Sequence, residues 1–174
     1  EHIEPERLER YKTMFRVDNV DQFGAQRGEV VVDFGCGPGH MACALAEVVG
    51  PEGHVHGVDL NADLLAVADQ EATDAGLSEV TTFHQVTDGS IPLRNSSVDR
   101  VIFKAVLLYL DDVGYALAGA RRVLRPGGVV VCQDSDFWLS ACTAFEPLEW
   151  RRVIDAIGPT FRDPAMGRHL HSAL

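Results

Sequence analysis

An acidic residue followed by three glycines at alternate positions marks one loop of the chain. Asp33, Gly35, Gly37 and Gly39 hold these positions, directly after an apolar run that contains three successive valines. Glycines there permit a tight turn and let a ligand approach bare backbone N–H groups at the positive end of the following helix. A dinucleotide-binding loop needs glycine or alanine where His40 stands, so a nicotinamide oxidoreductase is disfavoured. The loop predicts a ligand site, and capping of the helix by Asp33 is the plainer alternative.

Other polar residues follow the later apolar runs. Asp59 ends the second run, Lys104 ends the fourth, and Asp136 and Trp138 come after the fifth. Asp88 precedes a glycine and forms a good turn whether or not a ligand binds. An acid beside an aromatic ring suits a cationic or hydroxylated small molecule. The alternatives are a turn at Asp59, a surface ion pair at Lys104, and a cap and a core residue at Asp136 and Trp138.

Short β-branched runs alternate with longer segments of helical periodicity, and this alternation must position those residues. Strands are predicted over 29–34, 54–59, 80–85, 98–104 and 129–134, with helices between them. Asn61 is expected to cap one helix and Asp111 or Asp112 another. Such alternation predicts a doubly wound, mostly parallel α/β sheet with helices on both faces. In these sheets ligands bind at the carboxyl ends of the strands, which is where the polar residues fall.

The two ends of the chain differ from the middle. Residues 1–26 are predicted to form a helical segment that folds over the site, with Tyr11 as a lid residue, and residues 27–144 the ligand-binding core. Residues 145–174 show only helical patterns. We therefore expect a C-terminal helical segment that stops before any further strands, as in a truncated form of a longer protein.

Composition excludes several functional classes. The formal net charge is −11 at pH 7, which disfavours a nucleic-acid partner because phosphate binding needs a basic surface. No run of about 18 apolar residues suggests a membrane span. The four cysteines form no C-x-x-C pair and no zinc spacing, so we expect a cytoplasmic protein without a metal site. Whether it forms a homo-oligomer stays open.

Four segments resemble one family in order and spacing. They are D-F-G-C-G-P-G at 33–39, G-V-D-L-N at 57–61, I-P-L to V-I-F-K at 91–104, and L-R-P-G-G at 124–128. Together they are similar to motifs of the class I (Rossmann-like) S-adenosylmethionine-dependent methyltransferases, and most of all to the methyltransferase type 11 group. The family's sheet has two more strands than this chain predicts.

The resemblance implies S-adenosylmethionine as cofactor and S-adenosylhomocysteine as product. It implies that Asp33 holds the amino group of the cofactor, and that Gly35, Gly37 and Gly39 lie beneath its methionine and ribose. By the same resemblance, the other cofactor contacts are Asp59 to the ribose, Leu60 to the adenine, Thr87 or the adjacent Asp88 to the adenine amino group, and Lys104 to the methionine end.

The expected function is methyl transfer to a small-molecule acceptor by in-line displacement. A sulfonium activates its own methyl group, so alignment supplies most of the catalysis, and a base is required only if the accepting atom must first lose a proton. Asp136, Trp138 and Tyr11 are the candidate residues on the acceptor side. The alternative is a non-catalytic regulatory domain that binds S-adenosylmethionine or S-adenosylhomocysteine.

Overall fold

A five-stranded sheet organises the chain. The structure is a computed structural model that describes residues 20–140 and 146–174. Its strands are β1 (Val30–Phe34), β2 (His54–Asp59), β3 (Thr81–Gln85), β4 (Val98–Lys104) and β5 (Leu124–Gln133). Their order is β3-β2-β1-β4-β5, and each neighbouring pair is parallel. The predicted doubly wound sheet is therefore confirmed.

Five α-helices accompany the sheet in the described residues. They are α1 (His40–Val49), α2 (Ala62–Asp74), α3 (Val113–Val123), α4 (Pro147–Ile157) and α5 (Met166–Ala173). The Asn61 side chain caps α2 by accepting hydrogen bonds from the amides of Asp63 and Leu64. Asp112, rather than Asp111, caps α3 through the amide of Tyr115. Each cap satisfies N–H groups that the first helical turn leaves without intrahelical partners.

Two apolar clusters pack on opposite faces of the sheet. On one face Val31, Val55 and Ile102 pack with residues of α1, among them Leu45 and Val49. On the other face alternate strand residues pack with α3 and with Met166 of α5. Continuous apolar strands follow from this two-sided burial, since both faces of a parallel sheet are covered. Helices on both faces are thus confirmed.

The L-R-P-G-G segment belongs to the fifth strand, which begins at Leu124 and not at residue 129 as predicted. It lies within β5, where Val98 pairs with Leu124 and Arg100 with Val129, so the intervening residues bulge out of register. Arg125, in the bulge, donates to Asp99 at 2.8 Å, and Asp99 also accepts the Val30 amide at 2.8 Å. The L-R-P-G-G segment therefore helps to hold together the first residues of β1, β4 and β5, at the opposite edge of the sheet from the carboxyl ends.

Some expectations concern parts of the chain outside the described residues. Residues 1–19 of the predicted N-terminal helical segment, Tyr11 among them, lie there. The remainder of that segment contains a 3-10 helix, Val20–Phe23. In the described ranges, no helix combines the length and the apolar character that a bilayer span requires.

Candidate active site

A cleft runs along the carboxyl ends of β1, β2 and β4, where the order of the strands reverses. Its wider half has a volume of about 350 Å³ and its narrower half about 210 Å³. Four residues line both halves and so mark the junction: Gly35, Asp59, Val106 and Tyr109. The location agrees with the rule that places ligands at the switch point of a doubly wound sheet.

Asp33 is a buried carboxylate at the narrower half. Its side chain is 1% exposed, and its Oδ2 atom has no hydrogen-bond partner within the protein. Burial raises the pKa of Asp33 to about 7, opposed by the charge of Lys104 and reinforced by that of Asp59. A buried carboxylate is costly unless it is paired, so this oxygen suits a cationic donor supplied by a ligand.

The glycine loop shows why its residues differ in role. A Cβ on Gly35 would lie 2.5 Å from Val106 Cγ2, whereas a Cβ on Gly37 would meet nothing within 4 Å. Both residues have positive φ, at 75° and 53°. Gly35 is therefore needed where the loop approaches the opposite wall, and Gly37 leaves open space in the narrower half.

Two expectations about this loop are corrected. The amides of Gly35 and Cys36 donate to the Val58 carbonyl, and that of Gly37 donates to Asp59, so these N–H groups are not bare. Gly39 lines neither half of the cleft; a Cβ there would lie 2.6 Å from the Cβ of Ala68. The absence of a side chain at Gly39 allows the start of α1 to pack closely on α2.

Asp59 is fixed at the junction by the backbone. Its Oδ2 accepts the Gly37 amide at 2.8 Å and its Oδ1 accepts the Asn61 amide at 2.9 Å. A carboxylate has about four acceptor positions, so each oxygen retains capacity for a ligand hydroxyl. These two hydrogen bonds fix the orientation of the carboxylate and also connect the glycine loop to the end of β2.

The wider half brings together the three residues predicted around the adenine. Leu60, Thr87 and Asp88 all line it, and the Leu60 side chain is 55% exposed there. Asp88 accepts the Ser90 amide at 3.1 Å, and hydrogen bonds from Ser90 lower the pKa of Asp88. An exposed leucine inside a concave surface offers an apolar contact for a flat ring.

The wall opposite the glycine loop was missed by the sequence interpretation, apart from Lys104. Lys104 lines the narrower half, and Val106 and Tyr109 line both halves. Val106 precedes, and Tyr109 ends, a 3-10 helix, Leu107–Tyr109, that directly follows β4. Its position just past the carboxyl end of a central strand was the available signal.

This wall is held from behind by residues distant in sequence. Asp134 Oδ2 accepts the Leu108 amide at 3.3 Å, and the Leu108 carbonyl accepts the amides of Arg162 and Asp163. Burial raises the pKa of Asp134 to about 6, and hydrogen bonds from the wall's amides, Leu108 first, oppose the rise. The position of the wall thus depends on the segment after β5.

Asp136 and Trp138, predicted on the acceptor side, do not line the cleft. Asp136 accepts the amides of Trp138 and Leu139 and pairs with Arg168, so it caps a 3-10 helix and anchors α5. The Trp138 ring packs at Gly158, whose Cβ position lies 2.9 Å from it. Asp136 follows the plainer alternative, because local amides and Arg168 satisfy the acid. Trp138 is not a core residue either, since it is only half-buried and belongs to neither apolar cluster.

Known proteins with similar sequences point to one family. The family described as "Methyltransferase domain" matches residues 25–155. A 37.1 kDa uncharacterized protein of a Streptomyces fradiae transposon is 35% identical over 87% of this chain and 43% of its own length. Demethylmenaquinone methyltransferase of Geobacillus kaustophilus is 34% identical over 70% of this chain and 51% of its own. The chain thus spans about half the length of these relatives.

A solved structure agrees in fold. A SAM-dependent methyltransferase from Aquifex aeolicus superposes with a TM-score of 0.65 at 21% identity. The match covers 90% of this chain and 82% of that one. The sheet and its helices are thus those of a methyltransferase core.

Proposed function

Because the chain belongs to the class I S-adenosylmethionine-dependent methyltransferases, we propose that its cleft binds S-adenosylmethionine and serves methyl transfer to a small molecule. The adenosine would occupy the wider half and the methionine the narrower half. The two would meet at the junction, so that the sulfonium lies beside Asp59, Val106 and Tyr109. S-Adenosylhomocysteine, the product, would leave by the same cleft.

The unpartnered Oδ2 of Asp33 is the main support for this orientation of the cofactor. It is a buried acceptor at the narrower half, and a methionine ammonium is the part of the cofactor that satisfies it. Gly37 supports the same placement, because the space above it would be filled by any side chain. The vicinal ribose hydroxyls suit the remaining acceptor positions of Asp59, which stands at the junction.

The residues of the chain contribute by binding and orienting. S-Adenosylmethionine, when bound, would supply a methyl group on a positively charged sulfur. An acceptor atom would bond to the methyl carbon in line with the breaking carbon–sulfur bond, and the sulfur would leave as the neutral thioether of S-adenosylhomocysteine. Asp33 and Asp59 would fix the two ends of the cofactor, and the wall at Val106 would press it against the glycine loop. Such alignment contributes up to about 7–11 kcal/mol in oriented reactions, so a base would be needed only where the accepting atom must first lose a proton.

A small-molecule acceptor is supported by charge and by relatives. Asp59, Asp88, Asp111 and Asp112 line the wider half, and the whole chain carries a net charge of −11, so a polyanion such as nucleic acid would be repelled. A relative named for demethylmenaquinone methylation shares 34% identity with the chain. We propose an uncharged or cationic small molecule as the acceptor.

Calorimetry tests the cofactor assignment. S-Adenosylhomocysteine should bind the unaltered chain, and NAD should not. Asp59→Ala should weaken S-adenosylhomocysteine by about tenfold or more, because hydrogen bonds to a charged group contribute about 1.5–3 kcal/mol each. Asp69→Ala, at an exposed position of α2, is the matched control and should leave affinity unchanged. Equal affinity in the Asp59 and Asp69 variants would refute the ribose contact.

Transfer itself is tested with a labelled methyl donor and a library of metabolites. Incorporation into a small molecule, lost in the Asp59 variant, is the expected result. Tight S-adenosylhomocysteine binding with no transfer to any acceptor would instead favour a regulatory domain that binds the cofactor without turnover.

A further inference from the structure

Tyr109 has a distinctive position at the junction between the two halves of the cleft. Of the four residues that line both halves, Gly35 has no side chain, and Asp59 is held by two backbone amides. Val106 and Tyr109 form the opposite side. Tyr109 remains 52% exposed and is the only aromatic residue of the four.

We infer that the Tyr109 ring contacts the sulfonium of the bound cofactor and selects the charged cofactor over its uncharged product. The inference rests on the proposed function, which places adenosine in one half and methionine in the other. The sulfur joins these two parts of the molecule, so it must lie at the junction between the halves. A ring at the junction is therefore adjacent to the sulfur and its methyl group.

An aromatic ring is suited to this contact. Its π face carries partial negative charge and attracts a cation within about 6 Å of the ring centroid. The sulfonium is positive in S-adenosylmethionine and becomes a neutral thioether in S-adenosylhomocysteine. The ring therefore stabilises the complex before transfer more than the complex after it, which favours release of the product.

The Tyr109 ring is held in position by aromatic packing. The Phe161 ring lies against Tyr109, with centroids 5.3 Å apart, and Phe161 also stacks on Phe137 at 4.5 Å. The carbonyl of Leu108, one residue earlier, accepts two amides from the segment that follows Phe161. Tyr109 is thus positioned by packing against Phe161 and lines both halves of the cleft.

The experiment measures dissociation constants for S-adenosylmethionine and S-adenosylhomocysteine by calorimetry, in the unaltered chain and in Tyr109→Leu and Tyr109→Phe. The ratio of the two constants is the readout, because a purely structural defect weakens both ligands by the same factor. Tyr109→Leu should shift the ratio against S-adenosylmethionine by about three- to tenfold, as expected for a partly exposed cation–π contact. Tyr109→Phe keeps the ring and should keep the ratio.

Tyr115 provides the matched control. It is 49% exposed and lines only the wider half, so Tyr115→Leu should change both dissociation constants by the same factor. An unchanged ratio in Tyr109→Leu would overturn the inference while leaving the cofactor site intact. A ratio lost equally in Tyr109→Phe would also overturn it, since the hydroxyl would then make the contact. If the unaltered chain binds neither ligand, the proposed function itself fails.

Discussion

Replacing Asp33 with asparagine should stabilise the ligand-free chain while impairing its binding site. The pKa of Asp33 lies at about 7 in the folded chain because of burial, against an ordinary value of 3.8. The unfolded chain therefore holds fewer protons on this group than the folded chain between these two pH values. Stability from this group consequently falls as the pH rises from about 4 to 7, and the full cost persists above pH 7.

The magnitude follows from the shift. A difference of about three pKa units corresponds to roughly 4 kcal/mol at pH 8, at 1.36 kcal/mol per unit. At pH 5 most of the folded chain already carries a protonated Asp33, and the cost is about 1–2 kcal/mol. Asp33→Asn removes the charge in both states. Its advantage in free energy of unfolding should therefore grow by about 2–3 kcal/mol between pH 5 and pH 8.

Urea unfolding of the ligand-free chain at several pH values measures this difference. Asp69→Asn, at an exposed position of α2, is the control, and its effect should stay within about 0.5 kcal/mol throughout. The same Asp33 variant should bind S-adenosylmethionine about 10- to 100-fold more weakly, because a charge-assisted hydrogen bond is lost. A stability difference that is flat with pH, or that declines as the pH rises, would refute the argument that burial leaves this carboxylate unpaired.

Two further outcomes are expected from the loop and from a histidine pair. Gly35→Ala should lower the free energy of unfolding in urea by about 2–4 kcal/mol, because its Cβ would lie 2.5 Å from Val106. Gly37→Ala should lower it by only about 1 kcal/mol, the cost of a positive φ. The Gly37 variant should nevertheless bind S-adenosylhomocysteine at least tenfold more weakly in calorimetry, since its methyl group would enter the cleft. His56 lies 3.0 Å from His84 between ring nitrogens, and burial, then the neighbouring imidazoles, lowers the pKa of His56 to about 4. The stability that this neutral ring contributes is complete above pH 6.5 and declines toward pH 4. Urea unfolding of His56→Gln should therefore show a loss of unfolding free energy between pH 7 and pH 5 that is smaller by about 1 kcal/mol, after allowance for partial exposure. An unaltered pH profile of stability would contradict this.

Local chemistry made the sheet and its caps predictable. The bounds of β2 and β4 agree residue for residue with the predicted strands. In β4 the apolar run 101–103 is buried throughout, as a central parallel strand requires. Asn61 was predictable as a cap since its short side chain reaches the amides two and three residues onward. For α3 the sequence offered two adjacent aspartates, and only the geometry distinguishes Asp112.

Contacts between distant segments were not predictable in the same way. Asp136 had the chemistry of a ligand-binding acid, but its partner Arg168 lies 32 residues away on a helix whose packing no local pattern specifies. The wall at Val106 and Tyr109 was overlooked for the opposite reason, because neither a valine nor a single tyrosine indicates a ligand site by its residue type alone. Only the position after a central strand indicated that they would face the cleft.

The two sides of the cleft therefore differ in how the chain encodes them. Asp33, Gly37 and Asp59 are fixed by short-range geometry, since a strand end, a glycine turn and two amides suffice to place them. The opposite wall depends on Asp134 and on the segment around Arg162, which reach it from beyond β5. Substitutions behind the wall should accordingly alter the selection between cofactor and product, or between acceptors, while substitutions in the loop should weaken every ligand. Specificity can thus change through the later part of the chain without disturbing Asp33, Gly37 or Asp59.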